Sequence, residues 1–393
     1  MIYEKRTVRS CGNWAICRLI ALLFVLCALA GCSEDCPVCP EDLVETPIVP
    51  YISYYDNTHH DLICAKKIGD SWGTKIIEWD DDVGLFTSIA LDADNNAHIS
   101  YFKATSYDLH YAVETEDGWL TEVVDTENDV GRHTSIAIDS QGNPHISYCN
   151  WTAVAISYAH KIGGEWNTYI LENPSYPPET TPMCTRYYGE PTSLCLDASN
   201  TPHICYVGKK GVKVLIYAVK TGEEGGTPTW AFAEVDNDDV GRGCSMALDP
   251  SGKPRISYLD INHRVKYAWM DDGGEWHNEF VAGPLANTCQ FPTALAIDTD
   301  GNPHIAYYTD VNELAYSAKK PGSGWLYEIV DGYYTGAYCS IAIDTEGKPH
   351  ISYYEGDAQD LRYAVKCGNY WIIDIVDFGG NKGNYTSIAI GSR

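Results

Sequence analysis

The chain has 393 residues and carries 27 Lys and Arg against 54 Asp and Glu, a formal net charge of −27. Binding to a phosphate backbone requires cations that displace its counterions, so a chain this acidic excludes nucleic acid as a partner and gives the body no hold on anionic headgroups. Cation binding and simple solubility both remain compatible with the charge.

Residues 1–31 read as an export signal. Lys5, Arg6, Arg9 and Arg18 accompany an apolar run from Leu19 to Ala30 that is too short to span a hydrocarbon core of about 30 Å. The run ends in Leu29-Ala30-Gly31-Cys32, which resembles the bacterial lipobox. That resemblance implies cleavage before Cys32, lipidation of its thiol and anchorage to the membrane of the cell envelope; Ser33 implies sorting to the outer membrane. Cleavage would remove four basic residues and one acidic one, leaving 23 against 53 and a net charge of −30. Twelve of the 15 cysteines would remain, and in an exported chain some are expected to pair. Residues 32–49 form a Pro-rich, acidic tether. Cys36 and Cys39 are expected to make a local disulfide there, since neither a second metal-binding pair nor a redox context accompanies them. Cys195 and Cys205 fall on facing strands of one hairpin.

From residue 50 onward the chain repeats. A Thr/Cys-Ser/Ala start recurs at Thr87, Thr134, Thr192, Cys244, Thr293, Cys339 and Thr386, a spacing typical of propeller blades. An Ile-x-Tyr element keeps step at Tyr54, Tyr101, Tyr148, Tyr206, Tyr258, Tyr307 and Tyr353. An aromatic-small pair follows at Tyr111, Tyr158, Tyr217, Tyr267, Tyr316 and Tyr363, with Cys64-Ala65 as its first member. A tryptophan opens the last element at Trp72, Trp119, Trp166, Trp230, Trp276, Trp325 and Trp371. Four short runs per repeat, rich in Ile, Val, Tyr and Trp and punctuated by Gly, Asn, Asp and Pro, are strand-turn grammar without a helical period. The expected fold is all-β, a seven-bladed propeller of four-stranded antiparallel blades over residues 50–393. The fold begins at the second strand of a unit and stops after "TSIAI", the first strand of one. The C-terminal strand is therefore expected to pair with the N-terminal strands and close the ring, which a linear solenoid would not need.

The inner hairpin reads "SIAIDSQGNPHISY" at 135–148 and resembles the Asp-x-x-Gly-Asn hairpins of bacterial propeller repeats, including NHL-type families. It departs from the sialidase Asp-box, and the Arg-Ile-Pro signature of sialidases is missing. Asp139 is expected to bond amides ahead of it while Gly142 takes a left-handed conformation; Asn95 and Asn200 substitute for the glycine elsewhere. His98, His145, His203, His304 and His350 sit at one fixed place, with Arg255 and Tyr51 in the other two repeats. Histidines on separate blades cannot converge on one metal at about 2 Å, so their expected role is structural, bonding a carbonyl or the turn aspartate.

Six residues after the tryptophans stand Asp125, Glu172, Asp236, Asp331 and Asp377, with Asp80 read as displaced by two and Ala282 interrupting. The acidic stretches around them make Asp80, Asp81, Asp82, Asp236, Asp238 and Asp239 candidate calcium ligands, calcium being the one cofactor the sequence suggests, beside a turn-capping alternative. Residues just before each innermost strand are expected to ring the channel mouth. Phe86, Phe291, Tyr338 and Tyr385 are candidate ligand contacts there, joined by Trp151 and by Arg186, Tyr187 and Tyr188 of an insertion. No nucleophile elbow, zinc helix or phosphate loop is present. Glu190 with Arg132, Arg242 and His133 is the candidate catalytic group for a polysaccharide hydrolase or lyase. The expected function is a binding or interaction module for a glycan or an envelope protein; an envelope scaffold is a third reading.

Overall fold

A computed structural model describes residues 48–171, 192–210, 212–238, 240–283, 293–332 and 334–392. These residues form 28 strands in seven four-stranded antiparallel sheets. Blade 1 is composite: strand Lys382–Ser392 lies innermost, followed by Ile48–Asp56, Asp61–Ile68 and Ser71–Glu78. Blades 2 to 7 follow in chain order at 83–125, 130–170, 193–236, 240–282, 294–331 and 335–377. The innermost strands of successive blades adjoin one another, and that of blade 7 adjoins that of blade 1, so the ring is closed. Closure uses the expected pairing, with Ile52 opposite Ile388 and Tyr51 opposite Ala389.

The inner hairpin folds as its sequence dictates. Asp139 accepts from the amides of Gln141 and Asn143 at 2.9 and 2.7 Å and from the Asn143 side chain at 2.8 Å. Gly142 sits at φ 83° and Asn95 and Asn200 at 62° and 63°, the left-handed position such a turn requires. Each histidine stands behind its turn. The Nδ1 of His98, His145, His203, His304 and His350 meets the hydroxyl of Tyr111, Tyr158, Tyr217, Tyr316 and Tyr363 at 2.5 to 2.6 Å. Nε2 faces the turn aspartate, at 3.1 Å between His350 and Asp344. Arg255 takes the same role in blade 5 by pairing with Asp249.

Side chains in the repeat bind neighbouring blades. Ser and Thr hydroxyls meet across five junctions at 2.7 to 2.9 Å, as between Ser147 and Thr192. At the junction of blades 4 and 5 the same places hold Cys205 and Cys244, whose thiols are hydrogen-bonded. Cys195 and Cys205 carry separate thiols, with Cys195 opposite His203 and Cys205 opposite Ser193. The buried core is a set of seven clusters, most of them lying between adjacent blades, so each blade is stabilised by its neighbours.

Candidate functional site

Among the described residues, the acidic residue six places after the outer tryptophan is tied into the ring. Asp125 accepts from Tyr148 at 2.5 Å, Asp236 from Tyr258 at 2.5 Å, Asp331 from Tyr353 at 2.8 Å and Asp377 from Tyr54 at 2.5 Å. In each case the tyrosine belongs to the following blade. Lys266 also pairs with Asp236, and Arg362 with Asp331. In blade 1 the place belongs to Glu78, which accepts from Tyr101 and from Lys103; it lies six residues after Trp72, so the reading of Asp80 as the displaced member is corrected. Where Ala282 interrupts, the Tyr307 hydroxyl turns to Ser317 at 2.8 Å.

Among the described residues, the remaining calcium candidates form no group of metal-ligand proximity. Asp80 is exposed, Asp81 lies 3.6 Å from Lys103, and Asp82 accepts from Tyr55 at 2.8 Å. Asp238 is exposed and Asp239 lies outside the described residues. Among the described residues, one group has metal-ligand proximity: Asp56, His59 and Asp61. Asp56 there is already paired with Lys382 and His59.

At the channel mouth the structure brings together four of the expected side chains. Phe86, His133, Tyr338 and Tyr385, expected just before the innermost strands, lie within them at a break in the strand register, each at φ between 53° and 55°. Such a conformation is uncommon for bulky residues and costs about 1–3 kcal/mol at each position, sustained by the surrounding sheet. Rings of adjacent blades touch, at 4.6 Å for Tyr338 with Tyr385, 4.6 Å for Tyr385 with Phe86 and 4.2 Å for Phe86 with His133. Burial, with Arg132 adjacent, pushes the His133 imidazole down to about 3, so it is neutral and a poor base near neutral pH. Arg132 is engaged by Asp129 at 2.9 Å and lies over Phe102 at 4.5 Å. Arg242 is half-buried on the innermost strand of blade 5. Glu190, Arg186, Tyr187, Tyr188, Phe291 and Glu172 lie outside the described residues. Trp151 is half-buried and packs on the cluster of Cys149, Ile156 and Val214.

A different place breaks the repeat. At six junctions the tyrosine of the third strand meets the outer tryptophan of the next blade edge-on, with centroids 5.1 to 5.5 Å apart, as in Tyr111 with Trp166. At four of these the indole N–H and a lysine share one carboxylate of the previous blade. Trp166 and Lys161 both donate to Glu122, at 2.8 and 2.6 Å. Trp72 with Lys67 on Asp374, Trp325 with Lys319 on Glu279, and Trp371 with Lys366 on Glu328 repeat the arrangement.

The junction of blades 1 and 2 has none of this. Cys64 stands where the tyrosine should be, Lys75 where the carboxylate should be, and Glu114 where the lysine should be. Tyr51 replaces the histidine. The missing phenol leaves a cavity of about 360 Å³ lined by Tyr51, Cys64, Lys66, Lys75, Glu114 and Trp119, with Thr74 and Thr115 at its edge. Lys66 crosses it, 4.3 Å over the Tyr51 ring and 3.7 Å from Glu114. Among the described residues the Trp119 indole N–H and the exposed Lys75 ammonium have no partner. Cys64 and Tyr51 are departures visible in the sequence, but neither points to a site by itself; the signal is that both fall in one blade.

No family model matches the chain, and no curated protein matches it. Solved structures do. The BP39L lectin from Burkholderia pseudomallei aligns with a TM-score of 0.63 at 12% identity, over 85% of this chain and 94% of its own. A protein from Lactobacillus plantarum aligns at 0.58 and 10% identity, over 88% and 99%. The Aleuria aurantia lectin, described as a six-bladed β-propeller with a novel fucose recognition mode, aligns at 0.52 and 11% identity, over 75% and 95%. At such identities the likeness establishes the propeller architecture, here with seven blades.

Proposed function

We propose that the ring is a saccharide-binding module, displayed at the cell envelope by a lipid on Cys32. The observation that carries the reading is the open junction of blades 1 and 2, where a tryptophan face, a tyrosine and several charged groups line a cavity that the repeat closes elsewhere. An aromatic platform with a few directional polar groups is what a sugar ring requires. Propeller lectins among the structural neighbours support the reading by fold alone.

The test is a broad glycan array of neutral and acidic sugars, paired with turnover assays on whatever binds. Binding without product, lost in Cys64→Tyr, supports the module. Product formation would favour the hydrolase or lyase reading, and an array blank for every sugar would remove the module altogether. The anchor is tested separately by metabolic lipid labelling, which should disappear in Cys32→Ser. A second reading, an envelope protein docked at the channel mouth, is favoured by the strained quartet of Phe86, His133, Tyr338 and Tyr385. Crosslinking that recovers one specific protein, and fails in Phe86→Ala, would support it.

A further inference from the structure

The open junction differs from its siblings in charge as well as in shape. In the four regular clamps, a carboxylate on the outer strand of one blade receives both the indole N–H and the ammonium of the next. Between blades 1 and 2 the charges are exchanged: the outer strand supplies Lys75 and the following blade supplies Glu114. Trp119 keeps its place but its N–H has lost its acceptor, while Lys75 rises from the position the acceptor occupied. Two donors thus flank one empty acceptor position. Beside it lies the volume vacated by a six-membered ring, because Cys64 replaces the tyrosine whose phenol fills this space at the other six junctions.

Building on the saccharide reading, we infer that this pocket binds a hexuronate residue of an acidic saccharide, with its carboxylate between the Trp119 indole N–H and the Lys75 ammonium and its pyranose ring in the absent tyrosine's place. The ligand carboxylate restores the arrangement that Glu122 completes between Lys161 and Trp166, with the acceptor coming from outside the chain. A charge-assisted pair of donors on one carboxylate is stronger than neutral contacts to a hydroxymethyl group, which gives discrimination against the neutral hexose. The ring's hydroxyls face the Lys66–Glu114 pair, 3.7 Å apart, whose carboxylate accepts and whose ammonium donates, and the Thr115 hydroxyl, which donates to the Gly118 carbonyl and accepts from the ligand.

The experiment titrates the full chain with galacturonate and glucuronate oligosaccharides and with the corresponding neutral galactose and glucose oligosaccharides. Calorimetry gives affinity and tryptophan fluorescence reports on Trp119. Acidic oligosaccharides should bind at least ten-fold more tightly than neutral ones. Lys75→Glu, an exposed substitution, should lower the acidic affinity at least ten-fold. Cys64→Tyr should abolish binding with an unchanged or higher Tm, since it supplies the residue that the repeat uses here; Lys75→Glu/Glu114→Lys, which rebuilds the clamp, should abolish it as well. Equal binding of neutral sugars, or indifference to Lys75→Glu, overturns the inference and leaves the saccharide reading standing. Acidic binding that survives both Lys75→Glu and the clamp-rebuilding variant places the site elsewhere and also overturns it. Failure of every saccharide overturns both.

Discussion

The Tyr148 hydroxyl of blade 3 donates to the Asp125 carboxylate of blade 2 at 2.5 Å, and both groups are buried. Removing one partner takes a buried hydrogen bond from the other, although Asp125 keeps the Glu127 amide at 3.0 Å. Asp125→Ala and Tyr148→Phe should each destabilise the ring by about 1–3 kcal/mol. The two losses should not add, and a double-mutant cycle in urea should return a coupling of roughly 1–2 kcal/mol. Tyr307→Phe, at the junction without the carboxylate, should cost less than Tyr148→Phe. Additive losses would show that the pair does not act across the junction.

Acid should weaken the fold in two overlapping stages. Burial lowers the pKa of His98, His203, His304 and His350 and brings His145 down to about 4. The unfolded chain takes up protons near pH 6.5 while the folded chain does not, so stability falls as pH drops from about 6.5 toward 4. His145 alone contributes about 3 kcal/mol of that loss at roughly 1.4 kcal/mol per unit. At Asp249 burial opposes ionisation, but hydrogen bonds from Ser251, the Lys253 amide and Arg255 outweigh it and hold the carboxyl at about 2. Its folded value lies below the unfolded one, so its contribution persists above pH 4 and is lost between about 4 and 2. Denaturation midpoints measured from pH 8 to 2 should therefore begin to fall near 6.5, and His145→Asn should flatten the upper part. A curve level down to pH 4 would refute the histidine contribution.

Cys205 and Cys244 occupy the places of the Ser and Thr that bond at five other junctions. Cys205→Ser/Cys244→Thr should fold normally, with a stability change within about 1 kcal/mol, the size of one exchanged hydrogen bond. Cys244→Thr alone, facing a thiol, should be the less stable of the two in thermal melts. A double variant that melts well below the single one would show that this junction differs from its siblings in more than two atoms.

Blades 4 and 5 meet at a clamp with its charges removed. Ala233 and Met270 hold the places of carboxylate and lysine, and the buried Trp276 indole N–H has no acceptor. Ala233→Glu/Met270→Lys should raise stability by about 1 kcal/mol by satisfying that donor. The gain should vanish in a Trp276→Phe background; a gain that persists there would belong to surface charge alone.

Much of this architecture is legible from spacing. A residue that recurs once per blade announces the blade, and the turn of Asp139 and Gly142 follows from local chemistry within six residues. The histidines read correctly as partners of the turn aspartate, although the tyrosine on their other nitrogen, twelve to fourteen residues away, lies beyond the reach of turn chemistry. The acidic series misleads because its partners lie in the next blade: nothing within the outer strand says that Asp125 faces Tyr148. The six-residue interval points to Glu78, yet the run of acids at 80–82 draws attention away from it. The open junction is hidden for the same reason. Cys64 and Trp119 are 55 positions apart, and only the ring places a gap in one repeat against an unchanged residue in the next.

The opposition of Ile52 and Ile388 joins positions 336 apart in the sequence. Loop closure over such a span is entropically slow, so the six self-contained blades can assemble before the composite one is sealed. Until then the strand Ile48–Asp56 presents an unpaired edge to any extended peptide in its surroundings, including another copy of Lys382–Ser392. Sealing within one molecule competes with exchange between two, so refolding yield should depend on protein concentration more steeply than the finished ring's stability does. A synthetic peptide of residues 382–392 supplied during refolding would intercept the open form, and the same peptide added afterwards would find no edge to join.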